Sequence, residues 1–239
     1  MKRVAVIPAR LGSTRLPRKM LREIAGKPLV GWVYEAVRSS ALLSEVMIAT
    51  DSKEILSACQ DHGWNARMTS AGHRSGTERV QEISTLVEAD VYLNVQGDEP
   101  LTRPEQIASL LKLMENSSVL VGTLKTLCRE EDLHNPNAVK IVTAGDGRAL
   151  YFSRATIPFD RDAGQPRYYK HLGLYAYRKA ALDFFVTERE SELERIERLE
   201  QLRFLESGIA IYAVETPYDS VGVDTEEDLR RVEEILGGR

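Results

Sequence analysis

The first half of this chain alternates short apolar runs with longer amphipathic ones, and that alternation restricts the fold more than any other feature. Residues 3–7, 45–49, 65–68 and 90–95 have strand character, while 28–38, 52–62, 77–88 and 103–115 have helical periodicity. Strands that alternate with helices build a mostly parallel sheet joined by right-handed crossovers. The run Val4-Ala5-Val6-Ile7 is apolar at every position and reads as a strand covered on both faces. The second half is less regular. It offers candidate strands near 119–125, 138–143, 147–151, 172–177 and 210–214, a long charged helix from 191 to 207 and a last helix at 226–236. No Pro/Gly/Ser-rich linker and no repeat divides the 239 residues. The expectation is therefore a single domain over 1–239 with a smaller strand-rich excursion over 125–180.

Composition narrows the partners. A net charge of −4 gives no reason to expect nucleic acid, so any basic cluster is a local device. No apolar stretch approaches the roughly 20 residues needed to cross a bilayer. The amino terminus enters a strand without a signal-peptide layout. Cys59 and Cys128 stand far apart and belong to no metal-type spacing. These features predict a cytoplasmic protein with no nucleic-acid partner and no membrane insertion.

The first strand leads into Pro8-Ala9-Arg10-Leu11-Gly12-Ser13-Thr14-Arg15-Leu16-Pro17-Arg18-Lys19-Met20, which gathers four cations around a small flexible centre. Ligands gather at the carboxyl ends of strands in open α/β sheets. Glycine allows close backbone approach, and arginine forks suit phosphate oxygens. The segment has neither the GxxxxGK[ST] nor the GxGxxG pattern. It reads as a polyphosphate site or as an ordinary basic surface connection.

The strand Val91–Val95 ends in Gln96-Gly97-Asp98-Glu99-Pro100, where adjacent carboxylates beside a glycine suit a hard cation such as Mg²⁺. A turn before proline is the other reading. Asp224, in Val221-Gly222-Val223-Asp224-Thr225, is a second candidate ligand, or an acid that favours a helix amino terminus. Asp51 after Thr50 is a candidate ligand-side residue or an N-cap. Three helix starts have capping-box spacing: Ser75 with Glu78, Ser191 with Glu194, and Thr225 with Asp228. Those caps put His73, Arg74 and Asp224 in loops from which side chains reach a ligand. A metal beside phosphate-binding cations points to phosphoryl or nucleotidyl transfer.

Taken in order, Ile7-Pro8-Ala9-Arg10, Ser13 to Pro17 with Lys19, Ala49-Thr50-Asp51, Ser75-Gly76-Thr77-Glu78-Arg79 and Asn94 to Pro100 resemble the 3-deoxy-manno-octulosonate cytidylyltransferases. The likeness continues through Asn135 to Lys140, Ala149 to Pro158, Lys170 to Tyr175, Leu199 to Arg203 and Gly222 to Thr225 with Glu227-Asp228-Leu229. It implies a nucleotide-diphospho-sugar-transferase-like (Rossmann-like) fold and the reaction CTP + Kdo → CMP-Kdo + pyrophosphate. Mg²⁺, a homodimer and lipopolysaccharide biosynthesis are implied with it. By the same resemblance Arg10, Ser13, Arg15 and Lys19 hold the triphosphate of CTP, and Ser75, Arg79 and Gln96 line the nucleoside side. Asp98 and Asp224 are the metal ligands and with Lys19 form the catalytic set; for the transfer itself, two metal ions held by these acids are expected. Arg154, His171, Tyr175, Glu200 and Gln201 face the eight-carbon acid sugar, with Arg154 a partner for its carboxylate.

Read from the residues alone, His171 is equally a satisfied, partly buried histidine. Glu200 and Gln201 lie on a charged helix whose Glu194–Arg198 spacing is ordinary surface support and whose core stripe is Leu193, Ile196, Leu199, Leu202 and Leu205. The sequence departs from the family in one place: Arg18 stands where the family loop has glycine. Rival readings are a cytidylyltransferase for a related acid sugar (8-amino-Kdo or a sialic-type acid), a metal-dependent glycosyltransferase, and a non-catalytic nucleotide-binding regulatory module.

Overall fold

The computed structural model describes residues 1–13, 15–164 and 166–237. Thr14 of the cationic loop lies outside the described residues. Two compact units make up the chain: residues 1–108 with the stretch from Ser220 onward, and residues 109–219.

The first unit is the alternating half of the sequence. Its strands are β1 (Arg3–Ala9), the short pair β2 (Glu23–Ile24) and β3 (Lys27–Pro28), β4 (Glu45–Thr50), β5 (Ala66–Met68) and β6 (Val91–Asn94). Helices α1 (Leu29–Arg38), α2 (Lys53–Asp61) and α3 (Gly76–Leu86) connect them, and α4 (Pro104–Leu113) runs across the boundary. The order β6-β1-β4-β5 is parallel throughout, with Ile7 opposite Ile48 and Val6 opposite Asn94. Val4 to Ile7, Met47 to Ala49 and Val91 to Leu93 are wholly buried, as strands covered on both faces require. Helix α1 packs closely: Gly31 faces the Trp64 ring, and a Cβ there would lie 2.0 Å from its Cη2.

The second unit holds β7 (Val121–Leu127), α5 (Glu130–Leu133), β8 (Lys140–Thr143), β9 (Ala149–Ser153), β10 (Tyr169–Tyr177), α6 (Lys179–Thr187), α7 (Glu192–Glu197), α8 (Leu202–Glu206) and β11 (Ile211–Glu215). β11 runs parallel to β7, whereas β7–β10, β10–β8 and β8–β9 are antiparallel. Helix α9 (Glu226–Gly237) then returns to the first unit, where Leu229, Val232 and Leu236 pack with Leu16, Ile24, Leu29 and Val223.

One expected element differs. The helix expected over 191–207 is two short helices, because Arg198 adopts a left-handed conformation (φ 55°, ψ 46°) and stops α7. The expected core stripe breaks with it: Leu199 and Leu202 are buried, but Ile196 is 61% exposed. Glu194 is buried and bonds to Arg203, not to Arg198 on the surface. The caps form where the spacing placed them. Ser191 and Glu194 close a full capping box, Thr225 and Asp228 bond reciprocally, and Ser75 Oγ accepts the Glu78 N–H.

Candidate active site

In the first unit a cleft of about 310 Å³ opens at the carboxyl ends of β1 and β6, the position that ligands favour in such sheets. Arg10, Ser13, Arg15, Lys19, Ser75, Arg79, Gln96, Asp98 and Asp224 all line it. The structure thus brings together every residue expected on the nucleotide and metal side. Gly97 allows the two strand ends to approach, since a Cβ there would lie 2.8 Å from the Pro8 carbonyl oxygen and 3.0 Å from Met20 Sδ.

The two candidate metal ligands come from loops tied to each other by backbone. The Val223 N–H donates to the Asp98 carbonyl at 2.9 Å. Their carboxylates converge on Lys19, whose Nζ is 2.6 Å from Asp98 Oδ2 and 3.0 Å from Asp224 Oδ1. Arg15 reaches Asp224 from its exposed side at 2.9 Å. Burial disfavours the Lys19 ammonium, but the charges and hydrogen bonds of Asp98 and Asp224 outweigh it and raise the group above its ordinary value. Lys19 opens a single 3₁₀ turn over Lys19–Leu21, preceded by Arg18 in the left-handed region (φ 56°, ψ 32°). A left-handed residue at this point explains the family's glycine. Arg18 meets that backbone demand and directs its guanidinium to Glu54.

Arg79 is buried and held in place. Nη2 donates to Asp51 Oδ2 at 2.9 Å, and Nη1 donates to Thr69 Oγ1 and, at 3.4 Å, to the Ser70 carbonyl. Asp51 therefore holds Arg79, and the N-cap of α2 is Ser52, whose Oγ accepts the Ile55 N–H. His73 contacts the Glu82 carboxylate. Burial alone would raise the Glu82 carboxyl, but the Ser70 N–H, His73 and Arg79 hold it below its usual range. Sequence reasoning missed two residues here. Met20 packs beneath Gly97. Asn94, wholly buried below Gly76, has neither amide atom hydrogen-bonded among the described residues. The one signal for Asn94 was a polar residue in an otherwise apolar strand.

The residues expected on the sugar side all lie in the second unit. His171 meets Thr123 Oγ1 at 3.0 Å and stands edge-on to Phe152, with ring centroids 5.0 Å apart. Burial pushes its imidazole down to about 3, so the ring is neutral. Tyr175 is buried, stacked on Tyr177, and its hydroxyl has no hydrogen-bond partner among the described residues. Burial, with Tyr177 and Glu200 nearby, lifts that hydroxyl well above its usual range. Gln201 is 5% exposed and its Nε2 likewise has no partner among the described residues. Arg154 donates from Nε to the Glu197 carbonyl and from Nη1 to the Pro136 carbonyl, each at 2.8 Å, and from Nη2 to the Arg198 carbonyl at 3.3 Å. Two of these donors hold the carboxyl end of α7 and the third ties Arg154 to Pro136, so three of its five N–H donors are used.

A parallel sheet with a cation-lined cleft at its carboxyl edge suits a polyphosphate, and the chain belongs to the cytidylyltransferase family, whose profile matches residues 4–211. Its relatives narrow the class. It is 62% identical to the 3-deoxy-manno-octulosonate cytidylyltransferase of Koribacter versatilis, over 100% of this chain and 92% of that one. It is 57% identical to the protein of the same description from Acidobacterium capsulatum, over 98% and 96% of the two chains. A solved structure of CMP:2-keto-3-deoxy-manno-octonic acid synthetase complexed with CTP superposes with a TM-score of 0.96 at 42% identity, covering 100% of this chain and 99% of that one. Among the described residues, no helix is long and apolar enough to cross a membrane.

Proposed function

We propose that the chain joins CTP to the anomeric hydroxyl of 3-deoxy-D-manno-octulosonate, giving CMP-Kdo and pyrophosphate. The hydroxyl oxygen bonds to the α-phosphorus, the bond from that phosphorus to the bridging oxygen breaks, and the hydroxyl proton passes to solvent. The observation that carries this reading is the convergence of nine nucleotide-side and acid residues on one cleft. Kinship with a structure that holds CTP supports it.

Arg10, Ser13, Arg15 and Lys19 hold the triphosphate, and their positive charge is available where negative charge grows in the transition state. Ser75, Arg79 and Gln96 take the nucleoside side, Arg79 from a guanidinium already fixed by Asp51 and Thr69. The carboxylates of Asp98 and Asp224 fit Mg²⁺. They already bracket one cation, the Lys19 ammonium, and Mg²⁺ takes one or two protein carboxylates with waters and substrate phosphates. Bound there, the ion would neutralise the departing pyrophosphate and lower the pKa of the attacking hydroxyl. The neutral His171 is not needed as a base.

On the sugar side, the unpartnered Tyr175 hydroxyl and Gln201 amide, with His171 and Glu200, offer hydrogen bonds to hydroxyl groups. Arg154 has two further N–H donors for a carboxylate. A homodimer, a cytoplasmic location and service to lipopolysaccharide synthesis belong to the same proposal and rest on the kinship alone.

The test is pyrophosphate release with CTP and Mg²⁺ in the presence of Kdo, its 8-amino analogue or sialic acid. Release with Kdo alone is expected. Release only with the analogue would move the acceptor, and silence with all three would overturn the proposal.

A further inference from the structure

The two acids proposed for the metal are not free to take one. Lys19 Nζ lies within hydrogen-bond distance of both, at 2.6 Å from Asp98 and 3.0 Å from Asp224, and its side chain is only 10% exposed. A divalent ion that shares these oxygens at about 2.0–2.1 Å would face a full positive charge one hydrogen bond away. The Val223 N–H bonds to the Asp98 carbonyl and joins the two loops, which keeps the two acids close together. The backbone of Lys19 is also held, by the 3₁₀ turn in which the Arg22 N–H bonds back to the Lys19 carbonyl at 3.1 Å. The Lys19 stem is the part that can carry its charge away. A lysine is suited to that, being a compact charge on four flexible methylenes. The space beside it is the cleft lined by Gly12, Ser13 and Arg15.

We propose that Lys19 is an internal counter-ion that closes the metal site of the nucleotide-free protein, and that a triphosphate opens the site by drawing the ammonium off Asp98 and Asp224. This rests on the metal reading of those two acids given above. Without nucleotide, the charges of Asp98 and Asp224 are balanced by those of Lys19 and Arg15, so a divalent ion alone meets no net attraction from these four groups. A triphosphate gives Lys19 a second set of oxygens and adds the negative charge that a metal then neutralises. Both ligands favour the same position of one side chain, so each strengthens the other by the same factor.

The experiment titrates Mn²⁺, a paramagnetic substitute for Mg²⁺, into the nucleotide-free full-length protein and reads free Mn²⁺ by electron paramagnetic resonance. Lys19→Met, which keeps length and removes charge, is expected to bind one Mn²⁺ about tenfold or more tightly than the parent. Adding Asp98→Asn to that variant is expected to abolish the gain. Equal or weaker binding by Lys19→Met, with Asp98→Asn reducing it further, overturns the counter-ion role and leaves the metal reading standing. Mn²⁺ binding that is indifferent to Asp98→Asn in both backgrounds overturns both, and binding absent from all the proteins overturns the counter-ion role. If Lys19→Met does not fold, Lys19→Gln carries the same expectation, because it keeps a hydrogen bond to Asp98 while losing the charge.

Discussion

Arg203 and Glu194 form a deeply enclosed ion pair in the second unit, and removing both partners should cost well less than the sum of removing each. Nε and Nη2 of Arg203 donate to Oε2 and Oε1 of Glu194 at 2.8 and 2.6 Å, and Nη1 donates to the Phe185 carbonyl at 2.9 Å. The guanidinium also lies 3.9 Å from the centroid of the Phe185 ring. The two side chains are 5% and 9% exposed, so neither charge is rehydrated when the other is lost. Arg203→Met strands a buried carboxylate and is expected to cost about 3–5 kcal/mol. Glu194→Leu is expected to cost somewhat less, because the carbonyl and the ring of Phe185 still hold the guanidinium, although the capping bond to the Ser191 N–H goes with it. The double variant replaces a desolvated pair by apolar groups, and its loss should fall about 2 kcal/mol or more short of the sum of the singles. Urea unfolding followed by far-ultraviolet circular dichroism, arranged as a double-mutant cycle, measures this. Single losses below about 1 kcal/mol, or strictly additive ones, would refute the reasoning.

Two further outcomes follow from geometry and burial. Gly31→Ala improves helix propensity by about 1 kcal/mol, but its Cβ would lie 2.0 Å from Trp64 and overpacking costs about 1–3 kcal/mol. A net loss is expected that a second change, Trp64→Leu, partly relieves, and a raised Tm for Gly31→Ala alone would contradict it. His171 is neutral in the fold, with its pKa pushed down to about 3, while the unfolded chain takes up the proton near 6.5. Its contribution is therefore present above pH 6.5 and is lost as pH falls toward 3, by at most about 1.4 kcal/mol per pH unit. His171→Gln should flatten the acid side of the stability profile, and parallel profiles between pH 6.5 and 4 would count against this.

What the sequence disclosed depended on how many signals coincided at each point. Val4–Ile7 is apolar throughout, so β1 was legible from composition alone, and the three caps were legible because a hydroxyl and an acid stood three residues apart. The 191–207 stretch was not legible. Its leucine spacing continues smoothly through Arg198, and nothing about an arginine announces a left-handed residue as a glycine would. The same conformation at Arg18 was visible only as a departure from a resemblance, because the family's glycine marks what the backbone requires there. Helix α6 went unseen because Lys179–Thr187 mixes apolar and aromatic residues without a boundary signal at its start. The cleft residues were legible as motifs. Their mutual satisfaction was not: Lys19 between two acids, and Asp51 held by Arg79 instead of capping α2, are long-range pairings that local pattern does not encode.

The joint between Val223 and Asp98 also bears on when the protein becomes competent. Asp98 and Asp224 stand more than half the chain apart, and the loop that carries Asp224 is held by the backbone bond to Asp98 and by the packing of α9 against Leu16, Ile24 and Leu29. A growing polypeptide that has not reached Ser220 already has the cationic loop and Asp98, yet it lacks the second acid and the helix that seats it. Partial translation products and carboxyl-terminal truncations should accordingly be catalytically silent, so that activity reports on late synthesis as well as on folding.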